Sequence, residues 1–92
     1  MSEEQGEGFS RQAWKRLEQT KSTRAGWGQA HYERLLMSFG FLSRQGRKHT
    51  IYWDPDDKAN RVSVPRHGDL KAYVAEQVIA AVETMLKRKG IQ

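Results

Sequence analysis

Three short strand-forming segments follow one another between Phe41 and Pro65, separated by turns too short to hold a crossover helix. Parallel neighbours need a connection of a dozen or more residues, so these segments are restricted to an antiparallel meander. The first begins at Phe41 and Leu42 and runs to about Gln45, and Gly46, Arg47 and Lys48 read as a turn. The second, His49 to Asp54, is the richest in strand formers, with Thr50, Ile51, Tyr52 and Trp53 in succession. Pro55, Asp56 and Asp57 make the next turn, because proline presets its own φ and aspartate suits turn corners. In the third segment, Arg61 to Pro65, Val62 and Val64 face one side and Arg61 and Ser63 the other. Pro65 ends it, since proline has no N–H to give to the ladder. By the same alternation His49, Ile51 and Trp53 share one face of the second strand, and Thr50 and Tyr52 share the opposite face.

Helical patterns flank the meander. Ser10 can cap a helix running to about Lys21, with Phe9 and Trp14 at the two positions of a hydrophobic staple. Phe9, Ala13, Trp14 and Leu17 form its apolar stripe, and Ser22 to Gly26 interrupt it. A second helix is predicted from about Gly28 to Phe39, on the spacing of Tyr32, Leu35, Leu36 and Phe39, with Gly40 as its left-handed stop. The third and longest is predicted from about Leu70 to Lys89 on the stripe Leu70, Val74, Val78, Ala81, Val82, Met85 and Leu86. Asp69 is its expected cap, Lys87, Arg88 and Lys89 sit where the helix dipole favours cations, and Gly90 follows as the stop. The order is helix, helix, three strands, helix. The apolar face of the meander must be covered by the helices, which predicts a two-layer α+β domain. Trp14 and Trp27 point to packing of the N-terminal segment on that domain.

The chain has 92 residues, which fits one small domain. It has no cysteine, and so no disulfide scaffold, zinc ribbon or thiol nucleophile. No apolar run approaches the ~20 residues of a membrane helix. The opening MSEEQGEG is acidic and lacks the apolar stretch of a signal peptide, so a cytoplasmic protein is expected and residues 1–8 read as a disordered acidic tail. The charge is unevenly placed. Residues 1–8 hold three of the eleven acidic residues and none of the sixteen Lys and Arg, so a formal +5 overall becomes +8 over residues 9–92. Such a balance is the electrostatic footprint of a nucleic-acid partner.

His31, His49 and His67 lack the spacing of a helical zinc site, and no metal or other cofactor is expected. Asp54 to Asp57 fails as a calcium loop, because Lys58 stands where an oxygen ligand is needed and no glycine follows. No Walker, Rossmann or nucleophile-elbow pattern occurs. The chemistry concentrates instead around the first hairpin. Arg44, Arg47, Lys48 and His49 lie within six residues, Tyr52 and Trp53 follow, and Arg61, Arg66 and His67 come from the neighbouring strand and its exit. Such a set suits RNA: cations neutralise phosphates and aromatic rings stack on unpaired bases. A histidine, with an unperturbed pKa of roughly 6.5, can take a proton from a 2′-hydroxyl so that it attacks the adjacent phosphate. A nearby Lys or Arg stabilises the charge that develops there. Each residue also has a plainer reading, with the histidine a satisfied surface group and the cations a solvated hairpin.

The stretch GFLSRQGRKHTIYWDPDDKANRVSVPRHGDL, Gly40 to Leu70, resembles the HicA toxins of bacterial toxin–antitoxin modules. Gly40 and Phe41 match the family's helix-ending Gly-Phe, and Arg44 and Gln45 its first-strand Arg-Gln. His49 falls on its catalytic histidine, and Val62, Val64, Pro65 and His67 match its third-strand signature. Where the family has Gly-Ser-His, this chain has Arg47-Lys48-His49, with its glycine one place earlier at Gly46. The resemblance implies a double-stranded-RNA-binding-like domain over residues 27–92, preceded by a helical extension and linker over residues 9–26. It further implies a metal-independent mRNA interferase with His49 as acid–base group, and a HicB-like antitoxin that masks the site. Arg44, Arg47, Lys48, Trp53, Arg61, Arg66 and His67 are the expected RNA-binding residues. The alternative on the same fold is a non-catalytic RNA-binding module, and a third reading is a protein-interaction domain with an acidic partner.

Overall fold

A computed structural model describes residues 8–68 and 70–91. In chain order it contains α1 (Arg11–Ser22), α2 (Gln29–Ser38), β1 (Leu42–Gln45), β2 (His49–Asp54), β3 (Asp57–Pro65) and α3 (Ala72–Arg88). The strands form one antiparallel sheet in the order β1-β2-β3. The predicted α+β order and meander are therefore present. The acidic tail up to Glu7, and Asp69 with its expected capping role, lie outside the described residues. No helix among the described residues is long and apolar enough to cross a membrane.

Helix α1 starts as its sequence predicts. The Ser10 hydroxyl accepts from the Ala13 N–H at 3.1 Å. Phe9 and Trp14 meet edge to face with centroids 6.3 Å apart, and both close on Phe39, at 5.0 and 5.4 Å. Ala13, Leu17 and Thr20 are buried, and the first two belong to the same hydrophobic cluster as the residues of α2, α3 and the sheet. Helix α2 ends on Gly40, whose φ of +90° is easily reached only without a Cβ. The Phe41 N–H then returns to the Leu36 carbonyl at 3.1 Å, which aims the chain into β1.

Two predicted boundaries move. Strand β3 begins at Asp57 rather than Arg61, because Pro55 and Asp56 alone make the turn and Asp57 already pairs with Asp54. The pairing then jumps from Asp54↔Asp57 to Trp53↔Arg61, so Lys58, Ala59 and Asn60 bulge out of the ladder. Helix α3 begins at Ala72 rather than Leu70, with Lys71 at the cap position and no side-chain cap bond.

The helices cover one face of the sheet. Tyr52, Val62 and Val64 point into the core with Val74, Val78, Val82 and Met85 of α3, the α2 residues Tyr32, Leu35 and Leu36, and Phe39 at the end of that helix. Fully burying each aliphatic or Phe side chain contributes about 1.5–3 kcal/mol. Asp54, at the end of β2, is fully buried. It accepts from the Asp56 N–H at 2.9 Å and from Arg88 at the end of α3 at 2.5 Å. The Asn60 amide donates to the Ala81 carbonyl at 2.9 Å and pins the β3 bulge to the same helix.

The junction of α1 and α2 is polar and satisfied. The Thr20 hydroxyl donates to the Arg16 carbonyl at 2.7 Å, which leaves its oxygen to accept from His31 Nε2 at 2.7 Å. The His31 ring stacks on Trp27 with centroids 3.8 Å apart. Burial first, then the charges of Arg16 and Arg34, hold the His31 imidazole below its ordinary pKa.

Two expectations follow. Removing residues 1–24 strips Ala13, Leu17 and Thr20 from the core, and a urea titration is expected to show a clearly lowered midpoint; an unchanged midpoint refutes the packing role. Because the folded state prefers neutral His31, its contribution is complete above the unfolded pKa of about 6.5 and is lost as the pH falls below it. Melting between about pH 7.5 and about pH 5.5 is expected to show a larger loss for the wild type than for His31→Gln.

Candidate nucleic-acid interface

The face of the sheet opposite the helices is open. Alternation along β2 puts His49, Ile51 and Trp53 on it and buries Thr50, Tyr52 and Asp54 beneath. Cross-strand pairing assembles rows on that face. His49 pairs with Pro65, Arg44 and Ser63 flank Ile51, and Leu42 and Arg61 flank Trp53. His49, Arg44 and Arg61 are exposed, and Trp53 is half-buried. Tyr52 takes the covered side, where its hydroxyl accepts from the Gln29 amide at 3.3 Å. Burial first, then the Glu33 charge, pushes its phenol above the ordinary value.

The turn that carries Arg47 and Lys48 is tightly held. The Gly46 N–H donates to the His49 carbonyl at 2.8 Å. A Cβ at position 46 would stand 3.0 Å from that same oxygen, so the close approach favours glycine there. The Arg66 N–H extends the ladder to the Lys48 carbonyl at 2.8 Å. Its guanidinium donates to the carbonyls of Gly46 at 2.8 Å and Arg47 at 3.3 Å. With its amide oxygen turned inward, Gln45 accepts from Arg66 Nε at 3.2 Å. Arg66, expected among the RNA-binding residues, thus braces the hairpin. The exposed side chains of Arg47 and Lys48 project from the braced turn.

The structure therefore divides the expected site residues into two neighbouring groups. Arg47, Lys48, His49 and Arg66 gather at the hairpin end, and His67 leaves β3 two residues past the partner of His49. Arg44, Trp53 and Arg61 line a shallow concavity of about 230 Å³ further along the face, together with Ile51 and Lys58. Among the described residues no carboxylate pairs with Arg44, Arg47, Lys48, Lys58 or Arg61. No group of three His, Asp or Glu among the described residues could hold a metal ion.

No family model, curated protein or solved structure matches the chain.

Lys58 and Ile51 were not among the expected site residues. Ile51 was legible by alternation, as a large apolar side chain on the face of His49. Lys58 was hidden, because its place depends on a bulge that turns on Asn60 reaching Ala81.

Arg66→Ala is expected to destabilise the fold by on the order of 1 kcal/mol in urea unfolding and to speed amide exchange at Gly46. Arg66→Lys is expected to recover only part of this, because a single ammonium does not reproduce the planar fork of donors. Unchanged exchange at Gly46 in Arg66→Ala would refute the bracing role.

Proposed function

We propose that the protein is a metal-independent endoribonuclease of the HicA type, with a double-stranded-RNA-binding-like fold and His49 as its acid–base group. The observation that carries this reading is the position of His49: exposed on the open sheet face, at the end where Arg47 and Lys48 project and His67 leaves β3 two residues past Pro65, the partner of His49. The imidazole takes the proton of a 2′-hydroxyl, and the 2′ oxygen attacks the adjacent phosphorus. The bond to the 5′ oxygen breaks, that oxygen leaves with a proton from solvent, and a 2′,3′-cyclic phosphate remains. Arg47 and Lys48 stabilise the charge on the phosphate oxygens during attack. Arg44, Arg61 and His67 are assigned to the RNA backbone. An antitoxin of the HicB type is the proposed protein partner, with an acidic surface that complements this face and speeds association.

The sequence correspondence around Gly40 to His67 supports the family assignment, and the open basic face supports an RNA substrate. The deciding experiment is cleavage of a long single-stranded RNA by purified protein in EDTA. The wild type is expected to cut, and His49→Ala to remain folded and lose ~100- to 10,000-fold in rate. Cleavage by His49→Ala at the wild-type rate refutes the role of His49.

The long side chains of Arg47 and Lys48, standing where the family has Gly-Ser, favour a second reading as a non-catalytic RNA-binding module. That reading is upheld by salt-sensitive RNA binding in which neutralising Arg44, Arg47 or Lys48 each reduces the salt slope by about 0.7, with no cleavage by the wild type.

A further inference from the structure

The geometry points to a single-nucleotide platform on the open sheet face, in which Trp53 stacks one unpaired base and Lys58, Arg61 and Arg44 take the flanking phosphates. This deepens the RNA reading above and rests on it. It names the substrate class as unpaired RNA and separates a base-binding subsite from the His49 end.

The platform is built by the sheet. Trp53 lies between Leu42 and Arg61 in one cross-strand row, and the next row is Arg44, Ile51 and Ser63. Leu42 and Ile51 are 48% and 39% exposed, so two apolar side chains neighbour Trp53 on the open face, one across from it and one two residues along β2. A strand residue advances about 3.3 Å, so Trp53 stands roughly 13 Å along β2 from His49 on the same face. An RNA strand laid along β2 can therefore seat a base on Trp53 and present a phosphate to His49 a few nucleotides away.

The bulge in β3 gives the platform its cationic wall. Between Asp54↔Asp57 and Trp53↔Arg61 the extra residues 58–60 leave the ladder, and Asn60 fastens them to the Ala81 carbonyl at 2.9 Å. Lys58 and Arg61 then both line the concavity that contains Trp53 and Arg44. Bulges that redirect side chains in this way recur beside functional sites. The volume of about 230 Å³ lies below the range of drug-sized pockets and suits one ring system. Its lining contains three cations, one aromatic ring and one aliphatic side chain, with no carboxylate. This is the combination that binds single strands: a positive track for the backbone and a π-face for a base. A duplex offers no such base, because its bases already stack on one another.

The test uses a fluorescently labelled 2′-O-methyl oligoribonucleotide, which lacks the hydroxyl that the proposed cleavage requires. Binding by the wild-type protein is compared with Trp53→Ala, Trp53→Phe, Lys58→Ala and Arg61→Ala, each checked for an intact melting transition. Trp53→Ala is expected to weaken binding ~5- to ~150-fold, and Trp53→Phe to recover most of that loss. Lys58→Ala and Arg61→Ala, both exposed positions, are each expected to lower the salt slope by about 0.7. The same sequence as a duplex is expected to bind more weakly and to be insensitive to Trp53→Ala. An unchanged affinity for Trp53→Ala, or a duplex bound as tightly as the single strand, overturns the proposal. Competition by poly-glutamate as effective as that by the unlabelled oligonucleotide also overturns it, and assigns the face to an acidic protein. The outcome is separable from the nuclease reading. Trp53-dependent binding without cleavage in EDTA sinks the nuclease and leaves the platform standing. Cleavage by the wild type with Trp53-independent binding does the reverse.

Discussion

The sheet has two faces and the helices occupy one of them. Tyr52, Val62 and Val64 are packed against α3 and α2, so strict alternation sends His49, Ile51 and Trp53 to the other side. A slip of one residue in β2 would bury the histidine and expose Tyr52, at the cost of the core that Tyr52 fills. The register of the hydrophobic face thus fixes which side chains the open face carries. The rows that Arg44 and Arg61 form with Ile51 and Trp53 are consequences of that register.

Several polar contacts keep the register from drifting. At one end of the sheet Arg66 grips the carbonyls of Gly46 and Arg47, beside the ladder bond from its own N–H to Lys48. At the other end Asp54 is buried and held by Arg88, which ties the β2–β3 turn to the last turn of α3. Without Arg88 the buried Asp54 carboxylate would lose its charged partner, which is strongly destabilising for a buried charge. Between these ends Asn60 secures the bulge. Three of the residues that organise the open face thus make their key contacts to backbone or to buried groups.

The helical layer also explains the N-terminal segment. A 92-residue chain buries a limited fraction of its surface, and each added apolar contact counts. Phe9 and Trp14 close on Phe39, and Lys21 pairs with Glu83 of α3 at 2.9 Å. Helix α1 is therefore a third wall of the core. His31 and Thr20 seal the joint between α1 and α2 on the side away from the sheet's open face.

Much of this was legible along the chain, because it depends on local chemistry. The helices followed from the spacing of Tyr32, Leu35, Leu36 and Phe39 and of Val74, Val78, Val82 and Met85. The Ser10 cap, the Gly40 stop and the two-sided character of β2 followed from single residues with strong preferences. What only the tertiary structure decided is what depends on contacts distant in sequence. The start of β3 and its bulge depend on Asn60 meeting Ala81, the bracing role of Arg66 on carbonyls some twenty residues earlier, and the place of Lys58 beside Trp53 on both strands. Period and propensity state which face a residue takes. They do not state which partner it finds there, because that distance is set by the folding of the whole chain.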